Sequence, residues 1–156
     1  MCDVSSSTTV RPITAADVEA VIALDQQVSG RSRRGFYQKR FAAFQRDPFA
    51  FVWLVAVQGD TLAGFVSAHV LDGEFGETAR TAVVDAIGTH PDHRGQGLGH
   101  TLMTALEGAL RPRNVKAMRS EADWTEQDLV RFFAKAGFQL APQIVLQCAC
   151  HQAPSQ

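Results

Sequence analysis

Cysteine is scarce and badly placed for cross-linking, because among 156 residues only Cys2, Cys148 and Cys150 carry a thiol. An odd count with two of the three at i and i+2 gives neither a disulfide framework nor a zinc-type spacing, so reduced thiols in a cytoplasmic protein are expected. Net charge is nearly absent as well. Lys and Arg number 15 against 16 Asp and Glu, a formal charge of −1, which leaves no global field to draw in nucleic acid or an anionic membrane. No apolar run approaches the roughly 18–20 residues that a spanning helix needs. Residues 1–9 lack the basic and apolar regions of a secretion signal. Neither a nucleic-acid nor a membrane partner is expected.

What is present suits one packed core. Hydrophobic residues make up 46% of the chain, enough for a single domain of this length without metal or disulfide support. The expected layout is a flexible segment over 1–9, one domain over 10–150 and a tail over 151–156. The one dense basic stretch, Arg31, Arg33, Arg34, Lys39, Arg40 and Arg46, reads either as a solvated face or as a group near an anionic substrate or cofactor phosphate.

The periodicities divide this domain into alternating elements. A short apolar strand over 10–13 meets Thr14-Ala15-Ala16-Asp17, a Ser/Thr-x-x-acid start signal for a helix that runs out near Ser29-Gly30. A second helix over 35–46 carries Phe36, Tyr37, Arg40, Phe41 and Phe44 at three- and four-residue intervals and stops at Asp47-Pro48. Strands over 51–57 and 61–71 flank a Gln58-Gly59-Asp60 turn, and a third follows over 79–89. Residues 97–110 form a helix with Leu98, Leu102, Met103, Leu106 and Leu110 on its inner stripe. A strand over 115–120 precedes a helix capped at Thr125-Glu126-Gln127-Asp128 and closed by Gly137. Two last strands, 138–140 and 143–149, would complete an α/β layer with mixed strand directions.

The chemistry concentrates between Ile87 and Gly99. Gly95, Gly97 and Gly99 alternate where a helix begins, baring backbone N–H groups to a close ligand. With the helix dipole, they make a site for phosphate or pyrophosphate. A Walker loop would need Gly-Lys-Ser/Thr, but Gly99 is followed by His100-Thr101. A Rossmann turn would place its glycines directly after the strand, whereas a polar loop over 90–94 intervenes. A tight turn without ligand is the plain structural alternative.

What fits is Arg/Gln-x-x-Gly-x-Gly/Ala, met by Arg94, Gly97 and Gly99. With Pro91-Asp92-His93-Arg94-Gly95 and the later Phe132-Phe133-Ala134-Lys135-Ala136-Gly137-Phe138, the chain resembles the GNAT superfamily of acetyl-CoA-dependent N-acetyltransferases over roughly residues 10–148. The resemblance implies a mixed, mostly antiparallel central sheet of six to seven strands flanked by about four helices. It also implies acetyl-CoA as co-substrate and no metal. Arg94, Gly95, Gln96, Gly97, Leu98 and Gly99 would hold the pyrophosphate. Ile87 and Thr89 would align the pantetheine arm in a slot where their strand parts from strand 115–120. A backbone N–H near Thr89 would polarise the thioester carbonyl. The acceptor would be an amine on a small molecule or a protein, attacked directly, since no Cys lies in these motifs to carry the acyl group. A CoA-binding sensor or accessory module is the competing reading. Homodimers occur in the superfamily, so a homodimer is compatible with it.

Two departures accompany the resemblance. Phe133 stands where many members carry a Tyr general acid, so cofactor packing or core burial becomes its expected task. Trp124-Thr125-Glu126 replaces a frequent Asn. The amine must also lose a proton before attack, because alkyl amines have a pKa near about 10.4. Asp85 is the candidate base, placed by two-residue alternation on the same strand face as Ile87 and Thr89. Glu74 and Glu77 are further acidic candidates for catalysis and acceptor contact, and Tyr37 is a candidate over the acceptor site. His69, His90 and His93 form no convincing metal set.

Overall fold

The computed structural model describes residues 7–73 and 79–150. Five strands form one sheet in the order β1-β2-β3-β4-β5: β1 Thr8–Pro12, β2 Phe51–Gln58, β3 Thr61–Asp72, β4 Arg80–Thr89 and β5 Val115–Arg119. The first four pair antiparallel, and β5 joins β4 in parallel. Among the described residues four α-helices accompany them, α1 Val18–Ser29, α2 Arg34–Arg46, α3 Leu98–Leu110 and α4 Gln127–Lys135. The strand count is therefore five among the described residues, against the six to seven expected.

The missing strands are those expected over 138–140 and 143–149. That stretch carries no ladder, and Leu140, Ile144, Val145 and Leu146 are exposed. β-propensity expresses fitness for a half-buried pleated surface, and a strand also needs a partner edge that accepts its hydrogen bonds. Sequence alternation alone could not supply one.

The sheet separates two cores. On one face Val66, Ala68, Ala82 and Val84 pack against Leu98, Leu102, Met103, Leu106 and Leu110, the inner stripe read from the α3 sequence. On the other, Trp53, Val55 and Phe65 pack against Val21, Ile22 and Leu24 of α1 and Tyr37 of α2. Each fully buried Leu or Phe side chain here contributes on the order of 2–3 kcal/mol of transfer free energy.

Local chemistry sets the helix ends. The Thr14 N–H donates to the Asp17 carboxylate at 2.8 Å and the Thr14 hydroxyl at 2.9 Å, fixing the entry to α1 through a single 3-10 turn. Before α4 the capping shifts upstream of the expected position. Thr125 donates from N–H and hydroxyl to Asp123, whose own N–H donates to Glu126. At the other end of α4, Gly137 is left-handed (φ +92). The Gly137 and Phe138 N–H groups donate to the Ala134 and Phe133 carbonyls. That paired closure brings the Phe138 and Phe133 rings to 4.8 Å, the apolar contact that accompanies such a C-terminus.

Three register shifts interrupt the ladders among the described residues, and the one between β3 and β4 governs the site. Ser67 pairs with Ala86 and Ala68 with Val84, so Asp85 has no opposite residue. A bulge reverses the phase of alternation. Ahead of it Ala82 and Val84 belong to the α3-side core; beyond it Ala86 joins the α1/α2-side core and Ile87 turns to the α3 side.

Candidate active site

The ladder between β4 and β5 covers only Arg80–Val83 on β4, ending at the pair Val83 and Arg119. One further contact follows, from the Ser120 hydroxyl to the Val84 carbonyl at 3.1 Å. Past that point β4 continues to Thr89 with β3 alone beside it. At about 3.3 Å per residue, roughly 20 Å of strand edge is left without a neighbour in the sheet. Asp85 stands at the fork.

The direction of the free N–H groups follows from the register. His90 donates its N–H to the Ala63 carbonyl at 2.7 Å, while Thr89 lies opposite Gly64. That makes Thr89 and Gly64 a pair without mutual hydrogen bonds, so the Thr89 N–H points away from β3 into the fork. Ile87, two residues earlier on the same regular stretch, presents its N–H the same way.

At the top of the fork the chain turns through residues 94–97 into α3. Gly95 and Gly97 take left-handed φ values of +80 and +72, a conformation costly for other residues. Gly99 has a different reason to lack a side chain, since the Phe132 ring of α4 occupies the space a Cβ would need. No side chain caps α3, and its first internal bond runs from Thr101 to Gly97. Among the described residues no acceptor takes the N–H groups from Gly95 to His100. Unpaired donors at the positive end of a helix suit an anionic group of diphosphate type. Gln96 and Arg94 are exposed at the rim, and Leu98 is buried as the first core residue of α3. The expected pyrophosphate residues thus come together at one turn, next to the free edge carrying Ile87 and Thr89.

Asp85 is placed otherwise than alternation predicts. The bulge puts its carboxylate on the α2 side of the sheet, opposite the face of Ile87. There its Oδ1 lies 2.8 Å from Nδ1 of His69 on β3 and 3.2 Å from the Arg40 guanidinium on α2. No sequence signal of period two could have revealed this, because the bulge is a property of the pairing. His69 is the residue that sequence reasoning passed over, having been weighed only as a metal ligand. Among the described residues no group of His, Cys, Asp or Glu is arranged to hold a metal.

Tyr37 does not overlook an acceptor site. It is fully buried, with Phe36 at 5.1 Å, Trp53 at 5.8 Å and Phe65 at 5.9 Å between ring centroids. Burial foremost, helped by the nearby Asp25 carboxylate, raises its phenol well above the ordinary range, so it stays protonated. An aromatic on the buried stripe of a helix is core first. Phe133 is likewise a core residue at 7% exposure, pinned by Phe138, which leaves little of the ring for a cofactor. Glu74 and Glu77 lie outside the described residues.

Half of the six-residue basic stretch is taken up by pairing. Arg33 binds the buried Asp25, Arg34 binds Glu19 at 2.7 Å, and Arg40 binds Asp85. Carboxylates that are remote in sequence decide which arginines remain open to an anion. Cys148 and Cys150 are free and exposed.

This architecture has relatives among solved structures. An aminoglycoside N-acetyltransferase in complex with CoA superposes with a TM-score of 0.80 at 13% identity, over 96% of this chain and 99% of that one. A ribosomal-protein-alanine N-acetyltransferase from Brucella melitensis biovar Abortus 2308 gives 0.73 at 20% identity, over 93% and 100%. A transcriptional regulator from Bacillus halodurans C-125 gives 0.76 at 20% identity, over 92% and 100%. At such identities the likeness is one of fold. No curated protein matches the sequence. The family model described as Acetyltransferase (GNAT) family matches residues 18–138, from the start of α1 through the Phe138 contact that closes α4. The forked strand pair, the glycine turn and all four α-helices fall inside that span, and the chain belongs to the GNAT acetyltransferase family.

Proposed function

We propose that this protein transfers an acetyl group from acetyl-CoA to a primary amine, on a small molecule or a protein, by direct attack in a ternary complex. The fork between β4 and β5, with the glycine turn at its top, is the observation that carries this reading. A diphosphate would accept hydrogen bonds from the N–H groups of residues 95–100, with Arg94 at the rim. The amide-rich pantetheine arm would extend along β4 as a surrogate strand, bonded to the inward-facing N–H groups of Ile87 and Thr89. Of the two, the Ile87 N–H lies farther from the diphosphate and nearer the fork, and it is suited to stabilise negative charge on the acetyl oxygen as the amine adds.

The protein's contribution is then placement and charge stabilisation. A thiol with a pKa near about 8.5 leaves readily as thiolate, so little acid assistance is needed where Phe133 replaces a phenol. Glu74 and Glu77, in the segment joining β3 to β4, are proposed on chain position to border the acceptor's entrance. Asp85, at the fork, is proposed to belong to the proton-accepting machinery. Fold relatives named as aminoglycoside and ribosomal-protein-alanine N-acetyltransferases support an amine acceptor and leave its size open.

Calorimetric titration with CoA and acetyl-CoA, followed by thiol detection across a panel of alkyl amines, aminoglycosides and peptide N-termini, tests the proposal. The expected result is micromolar binding of both and thiol release with at least one acceptor. Tight binding with no release on any acceptor would leave a CoA-binding accessory module in place of a transferase.

A further inference from the structure

An alkylammonium acceptor cannot attack until a proton has left its nitrogen, and Asp85 is poorly disposed to take it directly. Its side chain is 9% exposed, and one carboxylate oxygen already serves both His69 and Arg40. The geometry points to His69 as the proton acceptor, with Asp85 as the positioning residue that fixes its tautomer and Arg40 as the counter-charge. This inference rests on the N-acetyl transfer reading above.

Three elements converge to make the cluster. His69 comes from β3, opposite Val83 of β4 and Phe51 of β2. Asp85 comes from the bulge of β4, one residue beyond the last contact between β4 and β5. Arg40 comes from α2, its guanidinium 5.3 Å from the Phe36 ring and 5.2 Å from the Phe51 ring. The charged groups recorded around the imidazole are thus Asp85 from β4 and Arg40 from α2, while β2 contributes only the uncharged Phe51.

A carboxylate 2.8 Å from Nδ1 favours the tautomer that carries its hydrogen there. Nε2 is then a lone-pair acceptor, and it makes no hydrogen bond among the described residues, on a ring that is 26% exposed. Arg40, paired with the same carboxylate oxygen at 3.2 Å, supplies the counter-charge. The second carboxylate oxygen of Asp85 and Nε of Arg40 are buried without a partner among the described residues. Each such orphan costs on the order of 1–3 kcal/mol. Unpartnered buried polar groups of this kind are met at proton-transfer sites.

In the step this assigns, Nε2 accepts one proton from the ammonium and later releases it to solvent. The freed nitrogen lone pair forms the amide bond to the acetyl carbonyl carbon as the carbon–sulfur bond breaks. The electron pair of that bond leaves with sulfur, and the second proton lost by nitrogen goes to the thiolate.

The test combines a readout on the unliganded wild-type protein with kinetics of H69Q and D85N. Nitrogen-15 NMR of labelled histidine should find His69 in the Nδ1–H tautomer in the wild type, with that preference lost in D85N. H69Q should lower kcat on a strongly basic alkylamine by about 100-fold or more. It should lose the acidic limb of the pH profile and leave the KM for acetyl-CoA unchanged. On a hydrazide acceptor, already neutral at the assay pH, the loss should stay below about threefold, because no proton need be removed before attack. An Nε2–H tautomer in the wild type would overturn the inference without any variant. So would an H69Q variant that retains wild-type turnover, or that loses both acceptors equally. Absence of thiol release by the wild type on every amine would instead sink the transferase reading, and this inference with it.

Discussion

Phe132 of α4 presses its ring edge onto the main chain of Gly99 at the start of α3, so closely that a Cβ at position 99 would lie 2.6 Å from Cε2 of the ring. Gly99→Ala should therefore push α4 away from the helix end that carries the free N–H groups. Overpacking of this kind costs about 1–3 kcal/mol. We expect a lower melting temperature and weaker CoA binding. The double variant G99A/F132L should recover most of both, measured by thermal unfolding and calorimetry, and a double variant no better than G99A would show that the ring is not the obstacle.

At Gly97 the two costs of substitution can be separated. Any side chain there pays for a φ of +72, about 1–2 kcal/mol of strain. A Cβ would meet nothing within 4 Å, so crowding is not added. Gly97→Ala and Gly97→Glu should therefore unfold at similar temperatures. Only Gly97→Glu places a carboxylate beside the proposed diphosphate, so it alone should reduce CoA affinity by more than about tenfold through charge repulsion. Equal affinities for the two variants would argue against a diphosphate at this turn.

The Arg11 and Asp17 pair predicts an acid-sensitive increment of stability. The Arg11 hydrogen bonds foremost, at 2.7 and 2.9 Å, lower the Asp17 carboxyl from 3.8 to about 2. A depressed folded-state value means the increment is complete above about pH 4 and is lost as pH falls through about 2. Its size is about 1 kcal/mol once screening at the 40%-exposed Arg11 is allowed for. Chemical denaturation of wild type and Asp17→Asn between pH 7 and pH 2 should find curves that differ by that amount at neutral pH and converge at the acid end.

Among the described residues the Tyr37 hydroxyl accepts a hydrogen bond from Arg33 at 3.4 Å, too long for a strong bond. Tyr37→Phe should cost no more than about 1 kcal/mol of stability. Acetyl transfer should continue at the wild-type rate, as expected of a ring buried in the α1/α2-side core. A fall in kcat with unchanged stability would return Tyr37 to the acceptor site.

Much of the architecture is legible in the chain because periodicity is local. The α3 stripe from Leu98 to Leu110 and the Gly137 closure of α4 follow from spacing and from single residues whose backbone demands are intrinsic. The glycine turn is equally legible. Gly95 and Gly97 announce left-handed positions, and a helix start after them announces free donors. The C-terminal alternation misleads, because residues 143–149 have the side chains of a strand without a ladder to join.

The sequence by itself determined where α3 begins, which residues bare their N–H groups there, and which helix faces are apolar, since all of these depend on neighbours within a few positions. Only the tertiary structure decided that Asp85 faces His69 and Arg40. A one-residue bulge between β3 and β4 changes the face of every residue beyond it, and its position depends on two strands pairing at a register that neither encodes alone.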